Sequence, residues 1–180
     1  MTSGGLLSGG CVASQARSAT CRSSASMVQE NVWDYPRPPA LEKTPKRLRV
    51  LLDGQEIAST NQGYRVLETS HPPTYYIPPG DVAAGVLEKA TGRSSFCEWK
   101  GHATYWNVKK GGPQRKIWSY EQPTGKFAPI AGYLSFYAHP PFQCFVDEEE
   151  ALQQPGDFYG GWKTSNIVGE MKGGPGTMHW

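Results

Sequence analysis

Residues 46–60 read KRLRVLLDGQEIAST. Leu48, Val50 and Leu52 recur at every second position, the pattern of a strand that buries one face. Asp53-Gly54 then interrupts the run, and residues 55–60 resume it around Ile57. Two short runs joined by Asp-Gly predict a β-hairpin, because both turn residues tolerate the positive φ that a tight hairpin turn demands.

The same grammar continues on either side. Residues 64–68 (YRVLE) predict a third strand. Tyr75-Tyr76-Ile77 is bracketed by Pro72, Pro73, Pro78 and Pro79, which confines it to a short or edge strand. Strands are expected over 95–99, 102–108, 116–120, 132–138 and 142–146, with KKGGP at 109–113 as a turn and DEEE at 147–150 as a solvated charge run. Residues 81–90 (DVAAGVLEKA) are the one segment that predicts a helix, with Asp81 as its cap and Gly85 as a weak point. Upstream, residues 34–45 form a Pro-rich, extended entry arm. From Gln154 the chain is rich in Gly, Pro and aromatics, and it is ordered if Phe158, Tyr159, Trp162 and Trp180 pack on the sheet. The 21 Gly and 15 Pro among 180 residues favour short strands and turns over a helix bundle. The expected architecture is therefore mainly β: a single two-sheet domain with one short helix, in which 1–26 is a leader, 27–45 the entry arm and 46–180 the β domain.

Composition limits the function classes. Six Trp, nine Tyr and six Phe supply too much large apolar surface for a disordered chain. No apolar run approaches the roughly 18 residues of a transmembrane helix. Arg17 and Arg22 account for the net charge of +2, so residues 27–180 are balanced. A neutral body has no global field for nucleic acid or an anionic membrane, and neither is expected as a partner. Lys109, Lys110, Arg115 and Lys116 are read as a solvated hairpin. Residues 1–26 are rich in Ser, Thr, Gly and Ala, contain no acid and lack an apolar h-region, which is the pattern of a transit peptide, with a disordered leader that carries no address as the alternative. Plastid is the expected address, with mitochondrion or cytoplasm as alternatives. Cys11 and Cys21 lie in this leader, which leaves Cys97 and Cys144 in the body, too few for a disulfide framework.

Several longer strings occur in one order: VWDYPRPPALE (32–42), VLETSHPPTYYIPPGDV (66–82), SFCEWKGHATYW (95–106), IWSYEQP (117–123), IAGYLSFY (130–137) and PGDFYGGWKTSNIVG (155–169) followed by KGGPGT (172–177). Together they resemble the domain of unknown function 427 family. One departure is visible: the family often has Cys-Pro-Trp-Lys-Gly where this chain has Cys97-Glu98-Trp99-Lys100-Gly101, so Glu98 adds a carboxylate. The resemblance implies a β-tent-like fold, two sheets meeting at an edge, shared with zinc-bound scaffolds and aromatic-cage binders. The family also carries a nucleotidyltransferase label. The residues argue against that chemistry. There is no Asp-x-Asp pair for Mg²⁺, and KGGPGT lacks a Walker pattern and loses an N–H at Pro175.

The remaining chemistry is concentrated in a few places. No Cys-x-x-Cys is present, so Cys97, Cys144, His71 and His102 are not expected to hold a metal, and no cofactor is implied. Cys97 beside Glu98 and Lys100 forms a candidate catalytic set, in which Cys97 or Glu98 acts as nucleophile or base and Lys100 as electrostatic partner. If 95–99 is a continuous strand, Cys97 and Trp99 share one face and Glu98 and Lys100 the other. The aromatic residues suit the walls of a ligand pocket, since each Trp or Tyr brings an apolar body and a polar tip. The expected ligand-binding set is Glu68, His71, Tyr76, Trp99, Trp118, Tyr137, Tyr159 and Trp162, with Tyr76 capping the opening. The leading expectation is a small-molecule binder. An enzyme acting on a small substrate and a structural or protein-interaction module are the alternatives, and exposed aromatics would equally serve a homodimer contact.

Overall fold

The computed structural model describes Met1 and residues 28–180. The expected leader lies outside the described residues apart from Met1. The fold is mainly β and is organised by two four-stranded antiparallel sheets and one three-stranded antiparallel sheet. No helix among the described residues is long and apolar enough to cross a membrane.

The first sheet is built on the hairpin read from the sequence. Leu48–Leu52 pairs with Gln55–Thr60 across Asp53 and Gly54, which take φ of 50° and 78°, the left-handed pair that a two-residue hairpin turn requires. Phe142–Val146 pairs on the other side of Leu48–Leu52, and Glu149–Glu150 closes that edge. Leu48 and Val50 are fully buried and Arg49 between them is partly exposed, as the alternation requires, whereas Leu51 and Leu52, past the register shift at Val50/Leu51, are both partly exposed.

The second sheet runs in the order Leu134–Phe136, Ile117–Ser119, Thr104–Val108 and Leu87–Lys89. The third holds Ala40–Lys43, Tyr64–Leu67 and Thr74–Tyr76. These two sheets meet where Ile77 and Leu134 exchange both backbone hydrogen bonds, each 2.8 Å. The junction lets side chains from both sheets converge on one space.

One expectation is corrected here. Residues 81–90 do not form a helix. Pro79–Asp81 is a 3₁₀ turn, Val82 bridges Ala58, and Leu87–Lys89 is the edge strand of the second sheet. Gly85 sits at φ 75°, outside helical space, and the backbone bonds go to the sheet instead: Ala83 N–H to Ile57 O and Lys109 N–H to Val86 O. Helical geometry among the described residues is confined to short 3₁₀ segments, the longest being Gly125–Ile130. The entry arm contributes strands of its own. Glu30–Asn31 pairs in parallel with Ile167–Val168, and Ala40–Lys43 is a strand of the third sheet. Val32 and Tyr35 from the arm pack with Leu67, Ile167 and Met171 in a small core of their own.

The main core lies between the first two sheets and includes Leu48, Ile77, Ile117, Phe136, Phe142 and Trp162. A second cluster, centred on Tyr76, Trp118, Tyr120, Phe127 and Ile130, fills the space between the second and third sheets. It is incompletely closed, and its open side is the site described next.

Candidate functional site

The backbone geometry around Cys97 decides which side chains meet. The strand here is only Phe96–Cys97, paired with Gly101–His102, and Glu98, Trp99 and Lys100 form the turn between them. Gly101 closes it at φ 92°, a conformation that favours glycine. The alternation expected from a continuous strand is therefore broken. Instead of dividing between two faces, Cys97, Glu98, Trp99 and Lys100 all line one cavity. Thr124 Oγ1 donates to Trp99 O at 2.7 Å and ties this turn to the loop between Ile117–Ser119 and Leu134–Phe136.

The cavity has a volume of about 430 Å³, within the range of small-ligand sites. The third sheet supplies Val66, Thr74 and Tyr76, and the connection between Tyr64–Leu67 and Thr74–Tyr76 supplies Glu68 and His71. The second sheet supplies Tyr105 and Trp118, followed by Tyr120 and Tyr137. A strap from the C-terminal part of the chain adds Gln154, Phe158, Tyr159, Gly160 and Lys172.

The strap is fastened by specific contacts. Tyr137 Oη donates to Phe158 O at 2.9 Å, and the Tyr137 ring meets Trp118 edge-on with centroids 4.8 Å apart. Gly160 lies so close to Trp118 that a Cβ there would stand 2.2 Å from Cη2 of the indole. Only a glycine lets the strap backbone rest on that ring. At Gly156 and Gly173 the two legs of the strap cross with the same intimacy, since a Cβ on Gly156 would meet Gly173 O.

His71 is the best-defined polar group. It is buried, its ring stacks edge-on against Tyr159 at 4.6 Å, and Nδ1 lies 2.8 Å from Gln154 Nε2. The Gln154 amide is oriented by the backbone. Its Oε1 accepts from Gly161 N–H at 3.1 Å, and its Nε2 donates to Lys172 O at 2.8 Å. The second Nε2 hydrogen therefore points at His71, which makes Nδ1 the acceptor and leaves the ring proton on Nε2. Burial, reinforced by the nearby charges of Lys172, Arg37 and Lys100, lowers the His71 pKa from its ordinary value to about 4, against a smaller upward pull from Gln154. At neutral pH the ring is an uncharged donor.

Lys100 is also buried, at 7% exposure. Its Nζ lies 5.3 Å from the ring centroid of Phe127 and 5.8 Å from that of Tyr120, within cation–π range of both. Lys172 Nζ sits 5.6 Å from the Tyr159 ring and donates to the main-chain oxygen of Trp180 at 2.5 Å. Burial pushes the phenols of Tyr76 and Tyr120 well above the ordinary tyrosine range, so both are neutral hydroxyls. Tyr76 Oη is enclosed and has no hydrogen-bond partner among the described residues.

All of the expected site residues but one line this cavity: Glu68, His71, Tyr76, Cys97, Glu98, Trp99, Lys100, Trp118, Tyr137 and Tyr159. Trp162 does not. It is fully buried in the main core, 5.2 Å from Tyr75, and its Nε1 donates to Phe136 O at 2.7 Å. Tyr76 is placed differently from expectation, on the floor of the cavity at 1% exposure rather than over its mouth. Gln154 and Lys172 are additions that no sequence pattern marked, because their roles depend on backbone groups far away in the chain. Cys144 is buried in the main core, and burial raises its thiol pKa well above the ordinary value. His102 stacks on Phe96 with centroids 5.0 Å apart. Among the described residues no three His, Cys, Asp or Glu side chains gather as metal ligands.

No curated protein matches this sequence. Residues 40–151, which carry the turn at 98–100, the floor at Tyr76 and the walls at Trp118 and Tyr137, match a family described only as a domain of unknown function. That match spans more than half of the chain and leaves the strap outside it, and on it the chain belongs to the DUF427 family.

Proposed function

We propose that this domain binds a small molecule in the cavity between its second and third sheets. The observation that carries the reading is the convergence itself. Residues from six separate stretches of sequence enclose one space of about 430 Å³, with aromatic walls and a few polar groups. Apolar walls supply affinity by burial, and sparse polar groups fix orientation. Core packing alone gives no reason for Lys100 to be buried beside an open volume, because burying a charged group costs free energy unless it is matched.

Native mass spectrometry of the full-length protein, isolated without denaturation from the cells that make it, tests this. The expected result is a bound small molecule that is lost on unfolding and poorly retained by Trp99→Ala. An apo mass, together with no binding from a metabolite mixture, overturns the reading.

One observation favours an enzyme as second reading. The turn at 98–100 brings Cys97, Glu98 and Lys100 to the same cavity, so a nucleophile or base and a cation face one volume. Glu98→Gln separates the two readings. A binder keeps its fold and loses part of its affinity, whereas an enzyme using Glu98 as base loses turnover.

A further inference from the structure

Lys100 is the group whose surroundings call for something from outside the chain. It is a cation at 7% exposure, and no carboxylate among the described residues lies within 4.0 Å of its Nζ. The Phe127 and Tyr120 rings offset part of its lost hydration, but ring quadrupoles are weaker partners than a counter-charge. Glu68 and Glu98 line the same cavity, yet neither forms an ion pair with it. The second unusual group is His71. Gln154 consumes Nδ1, so the remaining ring hydrogen is an Nε2–H donor. Lys172 and Arg37 stand near the same ring, and their charges help to keep it neutral.

We propose, resting on the small-molecule reading of this cavity, that its ligand carries an anionic oxygen, from a carboxylate or a phosphate group, held between the Lys100 ammonium and the Nε2–H of His71. The anion supplies the charge that Lys100 lacks, and the neutral imidazole donates to it without adding a second buried cation. The aromatic walls then take the apolar remainder of the ligand. A charge-assisted hydrogen bond in such a site is strong and short, and an uncharged isostere forfeits most of it.

Three probes on the full-length protein test the proposal: benzoate, phenyl phosphate and benzamide, followed by titration in heteronuclear NMR. At least one of the two anions is expected to bind tenfold or more tightly than benzamide and to shift the side-chain nitrogen signals of His71. The preferred anion identifies the group as carboxylate or phosphate. Lys100→Met is expected to remove that preference, bringing the anions to within about twofold of benzamide. Should that variant fail to fold, the comparison of the three probes on the native protein, with the His71 signal as reporter, stands by itself. Equal binding of benzamide and both anions overturns the anion subsite and leaves the small-molecule reading in place. Retention of the preference in folded Lys100→Met overturns the role of Lys100. Failure of all three probes at millimolar concentration, with no small molecule retained by the native protein, overturns both readings together.

Discussion

At the scale of single residues, His71 joins stability to pH. Its pKa is lowered from 6.5 to about 4 by burial first and by neighbouring cations second. The unfolded chain therefore takes up a proton below pH 6.5 that the folded chain refuses until about pH 4. Stability contributed by the neutral ring is full above pH 6.5, declines as pH falls toward 4 and does not change further below it. The whole effect is about 3 kcal/mol at most. Urea midpoints at pH 7 and pH 4.5 are expected to separate in the native protein and to lie closer together in His71→Phe. An unchanged separation in that variant would assign the acid sensitivity to other groups. His71 is legible in the sequence as a polar residue entering a Pro-rich turn, a common place for site chemistry. Gln154 is not, since its orientation depends on Gly161 N–H and on Lys172 O, 7 and 18 residues further along. Contacts of that range leave no local pattern to read.

At the scale of elements, local propensity succeeded where it agreed with long-range pairing and failed where it did not. The hairpin at 46–60 was legible because alternation and turn chemistry pointed to one answer. Residues 81–90 had an N-cap and alanines, but Gly85 made the helix weak, and pairing with Ala58 and with Thr104–Val108 outweighed it. The turn at 98–100 was hidden for the converse reason: aromatic and β-prone residues extended the expected strand to Trp99, whereas it ends at Cys97. The strap is a case where elements depend on a single absent side chain. Gly160→Ala places a methyl 2.2 Å from the Trp118 ring, so the strap must lift or the indole must move. The expected cost is about 1–3 kcal/mol, with a change in tryptophan fluorescence. Gly80→Ala, where a Cβ meets nothing within 4 Å, serves as the control and is expected to stay within about 0.5 kcal/mol. Equal behaviour of the two variants would mean that the strap does not rest on Trp118.

At the scale of the whole molecule, the aromatic residues are divided between two jobs that composition cannot separate. A count of six Trp says that large apolar surface must be buried, not which cluster buries it. Trp162 and Trp99 both stood in aromatic, Gly-flanked strings and looked alike. In the fold, Trp162 closes the main core beneath the strap and satisfies its indole N–H on Phe136 O, while Trp99 sits half-buried in the turn that walls the cavity. The difference arises because Trp162–Lys163 pairs with Leu152–Gln153, which directs Trp162 inward toward Tyr75. Two substitutions expose the division. Trp162→Ala removes a fully buried ring and its hydrogen bond and is expected to cost about 3–5 kcal/mol, which for a domain of this size consumes a large part of its stability. Trp99→Ala removes a ring that is already half in contact with open space, so its cost to folding is expected to be about 1 kcal/mol, with the larger loss in ligand retention. Chemical denaturation read alongside retention of bound small molecule places each variant on both axes. If Trp99→Ala unfolded as readily as Trp162→Ala, the cavity wall would belong to the core, and the separation of a packing cluster from a binding cluster would fall.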